Sequence, residues 1–185
     1  SINKESLEQS GSIRKAGLQQ SSNHINRLKD NIRIIQQAGM SISGWFAIGY
    51  DADTLETYFN TVDFCNDNHI FPVITPVHAL PGSRLYKRLK KEDKLQDPGI
   101  NITNVKHPSM QNSDILKGMY YNLKKGYRFM QILKNTRYYF TIFRKTEPTI
   151  NDIINKTIFT FVTQLKMKKI LIWEIKRMEQ TLGKK

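Results

Sequence analysis

Apolar residues recur along this chain with two different periods, and the change from one to the other outlines its elements. Ile25, Leu28, Ile32 and Ile35 return every three or four positions, which predicts an amphipathic helix over Asn23–Ala38 stopped by Gly39. The period then shortens. Ile42, Phe46 and Ile48 mark one face of an extended segment, Met40–Ile48, and Trp45 and Ala47 make the other face apolar too. A strand apolar on both sides belongs in a parallel sheet covered on both faces. Helical spacing resumes with Leu55, Phe59, Val62 and Cys65, predicting a helix over Thr54–Asp67 that opens on the capping pair Asp53 and Glu56. A second strand, His69–Thr75, follows, and Pro72 within it argues for an edge, a bulge or a short strand. The rigid loop Thr75–Ser83 leads into a helix over Arg84–Glu92 capped by Ser83. Upstream, Ser1–Ser22 shows no period beyond a short helix at Lys4–Gln9.

Residues 93–112 are an irregular crossing, and a loop of that length reads as a boundary between a segment 1–95 and a segment 96–185. Beyond it the period is helical throughout. Leu116, Met119, Tyr120, Leu123, Tyr127, Met130 and Leu133 form one stripe, and a second helix covers Asn135–Lys145. A third is capped by Thr149 and Asp152, with Ile150, Ile154, Ile158, Phe161 and Leu165 as its expected core face.

Two strands separated by a helix must run parallel, and two alone can neither cover their faces nor satisfy their outer edges. The pattern therefore predicts an α/β fold, the carboxyl-terminal part of a larger barrel, followed by a mainly helical extension. Ligands of such folds sit beyond the carboxyl ends of the strands, which singles out the turn Gly49–Asp53.

Charge changes the picture for the second half. The 185 residues carry a net +13, but residues 1–83 hold 6 basic and 8 acidic side chains, whereas residues 84–185 hold 23 basic and 8 acidic. That asymmetry suggests an anionic partner for 84–185, a nucleic acid or an anionic membrane surface. The plainer reading is a set of solvated, lysine-covered helices. No segment approaches the roughly 20 apolar residues needed to span a bilayer, and the opening Ser1-Ile-Asn-Lys-Glu lacks the apolar centre of a signal peptide. The single cysteine, Cys65, excludes an internal disulfide and any multi-cysteine metal site within this chain. These features together predict a cytoplasmic protein with no metal site of its own. His24, His69, His78 and His107 fall on different elements without the spacing of a metal site. His78 alone follows a strand end, and a lone loop histidine is more often solvated than catalytic.

Several segments, in order, carry a resemblance: Ser1-Ile-Asn-Lys-Glu-Ser-Leu, Lys15-x-Gly-x-Gln-Gln20, Gln37-Ala-Gly39, Gly44-Trp-Phe-Ala-Ile-Gly49, Tyr50-Asp-Ala-Asp-Thr54, and Thr75-Pro followed by Leu80-Pro-Gly-Ser-x-Leu-Tyr86. Over residues 1–95 the chain resembles the carboxyl half of a radical S-adenosylmethionine enzyme, in the subgroup whose members often begin with a cobalamin-binding domain. Residues 113–145 resemble that subgroup's helical extension more loosely. The resemblance implies a partial barrel of six β/α units holding a [4Fe–4S] cluster and S-adenosylmethionine, with cobalamin as a further cofactor and methyl transfer as a frequent reaction. It places Ser1, Gly49, Asp53, Thr75 and Pro76 beside the cofactor. Asp53 stands where the family has Glu, the turn Tyr50–Asp53 lacks the family's Pro-Gly pair, and Val77–Leu80 is a short insertion. The three cluster cysteines, Cys-x-x-x-Cys-x-x-Cys, are not in this sequence, and thiolates are what such a cluster needs. The expected function is thus part of an enzyme whose amino-terminal barrel half, its first partner, carries the cluster. The alternative is a basic helical module over 84–185 that binds RNA or an anionic membrane.

Overall fold

A computed structural model describes residues 4–9 and 24–183. In chain order it contains α1 (Lys4–Gln9), α2 (His24–Gln37), β1 (Ser43–Ile48), α3 (Leu55–Asp67), β2 (Phe71–Pro76), α4 (Arg84–Lys91), α5 (Asn112–Tyr121), α6 (Phe129–Thr146) and α7 (Ile150–Leu182). The protein is α/β and mostly helical. Its two strands pair parallel, in a register that runs from Ser43 opposite Phe71 to Ile48 opposite Pro76.

The expected element order holds, and the caps explain most boundaries. Gly39 adopts φ +80° after α2, a conformation that glycine takes without strain. Ser83 Oγ accepts the Tyr86 amide at 3.1 Å, and Thr149 Oγ1 accepts the Asp152 amide at 3.1 Å. Helix α3 begins differently from expectation. Its N-cap is Thr54, whose amide donates to Thr57 Oγ1 at 2.9 Å, while Asp53 turns away to serve the preceding loop.

One face of the sheet builds the core. Phe46, Ile48 and Ile74 pack with Tyr58 and Val62 of α3, Ile115 and Met119 of α5, and Leu171, Ile175 and Met178 of α7. Burying one such side chain contributes roughly 1.5–3 kcal/mol, so this cluster dominates the fold. Helices α3 and α5 approach closely because Gly118 has no side chain: a Cβ there would lie 2.4 Å from the Tyr58 ring. The expected division at residues 95 and 96 runs through this shared core. The crossing segment is ordered against the strand ends rather than slack, with Leu95 and Val105 forming an antiparallel bridge.

Pro72 fits the edge position that the sequence predicts. Alternate residues of β2 point their backbone groups away from β1, and Pro72, lacking N–H, occupies one of those outward positions. Its carbonyl accepts Tyr127 Oη at 3.0 Å and Asn122 Nδ2 at 3.4 Å, so the π-helical turn Asn122–Gly126 and the start of α6 cover this edge. That turn also corrects the single long stripe expected across residues 116–133: the helix breaks, and α6 starts anew at Phe129. Farther along α6, Tyr139 Oη donates to the His69 carbonyl at 2.8 Å and accepts the Ile42 amide at 3.1 Å, fastening the entries of both strands.

Two burial expectations are overturned. Strand β1 is not covered on both sides: Trp45 is 72% exposed and Ala47 is also exposed, because no helix among the described residues packs over them. On α7 the first three residues of the expected core row face solvent, with Ile150, Ile154 and Ile158 at 75%, 46% and 56% exposure, while Phe161 and Leu165 are half-buried. The residues one position earlier, Ile153, Thr157, Thr160 and Gln164, meet α6 instead. Gln164 is buried because its amide is satisfied: Oε1 accepts Asn135 Nδ2 at 3.2 Å and Nε2 donates to Thr136 Oγ1 at 3.3 Å.

Candidate functional site

The parallel register brings the two strand ends together, and the chain after each one is fixed by its own hydrogen bonds. Val77 N donates to the Ile48 carbonyl at 2.9 Å, carrying the pairing one residue past β2. Gly49 then turns the chain at φ +128°, a conformation that strains any L side chain whatever the space around it. The turn closes on Asp53, which is fully buried. Its Oδ2 accepts the amides of Gly49 and Tyr50 at 2.9 and 3.0 Å, and its Oδ1 accepts Ser6 Oγ at 2.6 Å. Asp53 therefore holds the turn from beneath. Burial and the Asp53 charge together push the Tyr50 phenol above its usual range.

The inserted loop after β2 is clasped by the crossing segment. Asn104 grips Ala79 at both backbone groups, accepting its amide at 2.9 Å and donating to its carbonyl at 2.8 Å, as a neighbouring strand would. Thr103 Oγ1 donates to the Val77 carbonyl. His107 Nε2 meets the Tyr50 carbonyl at 2.7 Å. A carbonyl only accepts, so Nε2 carries the proton and Nδ1 receives the amides of Ser109 and Met110 at 3.1 and 2.9 Å. The same logic places a proton on His78 Nδ1, 3.1 Å from the Pro76 carbonyl, on an exposed ring.

Two hollows meet at Thr75, Pro76 and His78. One, of about 340 Å³, lies over the strand ends beside Ala47, Tyr50 and Val77. The other, of about 360 Å³, runs between the exposed sheet face, at Trp45 and Val73, and the carboxyl half of α7. Its walls are predominantly apolar, and the ion pair of Glu174 with Arg177, 2.7 Å apart, stands at its side. Such a lining suits a flat apolar ligand oriented by a few polar groups.

Of the residues expected at the site, Thr75 and Pro76 line both hollows. Gly49 shapes the adjacent turn, Asp53 lies under it, and Ser1 falls outside the described residues. Sequence reasoning missed Trp45 as a groove wall, having placed it in a core, and missed Glu174 and Arg177 altogether. Their place depends on α7 returning to the sheet, and no local signal carries that. Cys65 is buried, and burial raises its thiol well above the usual range, so it is not a ready thiolate ligand. Among the described residues no group of three or more His, Cys, Asp or Glu side chains could hold a metal ion. No helix among them is long and apolar enough to cross a membrane. No protein family, curated protein or solved structure matches the chain.

Proposed function

We propose that this chain is the carboxyl-terminal part of a radical S-adenosylmethionine enzyme, contributing the last two β/α units of a partial barrel together with a helical extension. The observation that carries the reading is the parallel pairing of β1 and β2, with the turn after Gly49 and the residues Thr75–Val77 side by side at one end. The layout of the sheet also supports it. The β2 edge is closed by Tyr127 and Asn122, whereas β1 has no further strand beside it among the described residues and leaves Trp45 and Ala47 exposed. Strands added there would extend the sheet and cover that face.

The residues present divide the cofactors clearly. A [4Fe–4S] cluster does not fit this chain, whose one thiol is buried, so its ligands belong to the proposed amino-terminal half. The apolar hollow at Thr75 and Pro76 would take the nucleoside part of S-adenosylmethionine, with Trp45 and Val73 as apolar walls and the Thr75 hydroxyl as an orienting group. When bound to a reduced cluster, that cofactor supplies a 5′-deoxyadenosyl radical. Methyl transfer and cobalamin enter this reading through the subgroup resemblance.

The test uses the chain extended upstream through its cysteine segment, reconstituted with iron and sulfide and titrated with S-adenosylmethionine by calorimetry. Thr75→Tyr is the informative variant, because Thr75 is exposed and outside the core, whereas any side chain at Gly49 strains the fold itself. Binding should weaken on the order of tenfold or more with the melting temperature unchanged. Absence of binding, or equal binding by Thr75→Tyr, would overturn the assignment, as would an upstream reading frame without the three cysteines.

A further inference from the structure

The hairpin of α6 and α7 buries polar side chains where the sequence pattern of α7 places apolar ones. The middle of its seam is polar, built from Asn135, Thr136, Thr160 and Gln164, beside the apolar contact of Tyr139 and Phe143 with Ile153, while further apolar side chains lie outside. On α6 the exposed row is Phe129, Leu133 and Phe140, at 55%, 39% and 39% exposure. On α7 it is Ile154 and Ile158, at 46% and 56%, with the half-buried Phe161 and Leu165 continuing the row. Each outer row is the inner row advanced by one residue: Ile132 and Tyr139 are buried where Leu133 and Phe140 are exposed, and Ile153 and Thr157 are half-buried where Ile154 and Ile158 are exposed. The helices are antiparallel, since Asn135 meets Gln164 and Phe143 meets Lys156. Rotation by one residue on each therefore carries both rows to the same side of the seam, away from the sheet. A continuous apolar face of this kind marks an interaction surface.

Charge identifies what covers it. Basic side chains continue both rows: Arg137 and Arg144 flank Phe140 at helical spacing, and Lys168 and Lys169 follow Leu165. The Arg144 guanidinium lies 6.0 Å from the Phe140 ring centroid, so a cation borders the apolar row directly. Helix α6 has no acidic residue. The carboxylates of the hairpin are engaged within the chain: Glu147 with Lys156, Asp152 with Thr149, Glu174 with Arg177, and Glu179 with Tyr120. An apolar strip bordered by cations, with its anions already paired, complements the boundary between acyl chains and anionic headgroups. An RNA backbone would meet the cations, but gains little from a strip that is largely aliphatic on α7.

We infer that the α6–α7 hairpin docks this protein on an anionic membrane surface, lying in the headgroup plane with Leu133, Phe140, Ile154 and Ile158 inserted. The 185-residue chain is sedimented with vesicles of phosphatidylcholine alone and of phosphatidylcholine with phosphatidylglycerol. It should follow only the mixed vesicles, and less so as salt rises. Ile154→Gln with Ile158→Gln should weaken partition about tenfold at an unchanged melting temperature, because both positions are exposed. Arg137→Gln with Arg144→Gln should weaken it roughly thirtyfold on mixed vesicles. Four results would overturn the inference. These are no sedimentation with either vesicle, equal binding by the isoleucine variant, a lipid-free dimer that the isoleucine variant abolishes, and preferential capture of RNA. Binding by the 185-residue chain but not by its upstream-extended form would instead assign the face to the extension.

Discussion

His69 joins α3 to β2 with a φ of +54°, in the left-handed region that few side chains adopt. Its ring stacks on Tyr138 at 3.8 Å, and its Nδ1 donates to Asn135 Oδ1 at 3.1 Å. Burial lowers its pKa from the ordinary 6.5, outweighing the opposite pull of the Asn135 hydrogen bond. The folded state thus resists protonation more than the unfolded chain does. The stability it contributes is complete above pH 6.5 and is lost as pH falls through the lowered value. Melting temperatures measured from pH 7 down to pH 5 should decline in the wild type and decline less in His69→Asn, a residue that tolerates the same backbone. An identical acid slope in the variant would assign the effect to other groups. This histidine is a structural joint, distinct in kind from His78 at the groove.

The polar patch inside the hairpin makes a prediction that separates two readings of the same helix. Gln164→Leu adds an apolar group yet leaves Asn135 without its acceptor, and should cost about 1–3 kcal/mol. Ile158→Gln removes one, but from an exposed position, and should stay within about 0.5 kcal/mol of wild type. Urea denaturation of the two variants decides between the faces, and the reverse ranking would restore the face that periodicity predicts. This pair also shows where sequence reasoning stops. Caps and turns such as Gly39, Ser83 and Thr149 were readable because each acts within a few residues. Both strands were readable too, because only a crossover helix separates them. Which of two adjacent rows on α7 is buried depends on side chains of α6 some 28 residues away, as in the contact of Gln164 with Thr136. At the site, Thr75 and Pro76 follow a strand end and could be found. Trp45, Glu174 and Arg177 share a groove only through the return of α7 to the sheet.

Across the whole molecule, the core cluster unites β1 and β2 with residues as distant as Met178. Residues 1–95 produced alone should therefore be unfolded or aggregated, since Ile48, Tyr58, Val62 and Ile74 lose Ile115, Met119, Leu171 and Ile175 together. Proton spectra and gel filtration of that fragment provide the check, and a monomer that melts cooperatively would show the αβ unit to be self-sufficient. The same span of chain sets a schedule during synthesis. Ile74 leaves the ribosome long before Leu171 and Met178 exist, and at translation speeds of about 5–20 residues per second the interval is roughly 5–20 s. For that time the nascent chain displays apolar strand segments without their partners, the feature that triggers clumping between neighbouring chains on one messenger. Slow decoding of the last helix would lengthen that window, and a chaperone that shields nascent chains would matter most there.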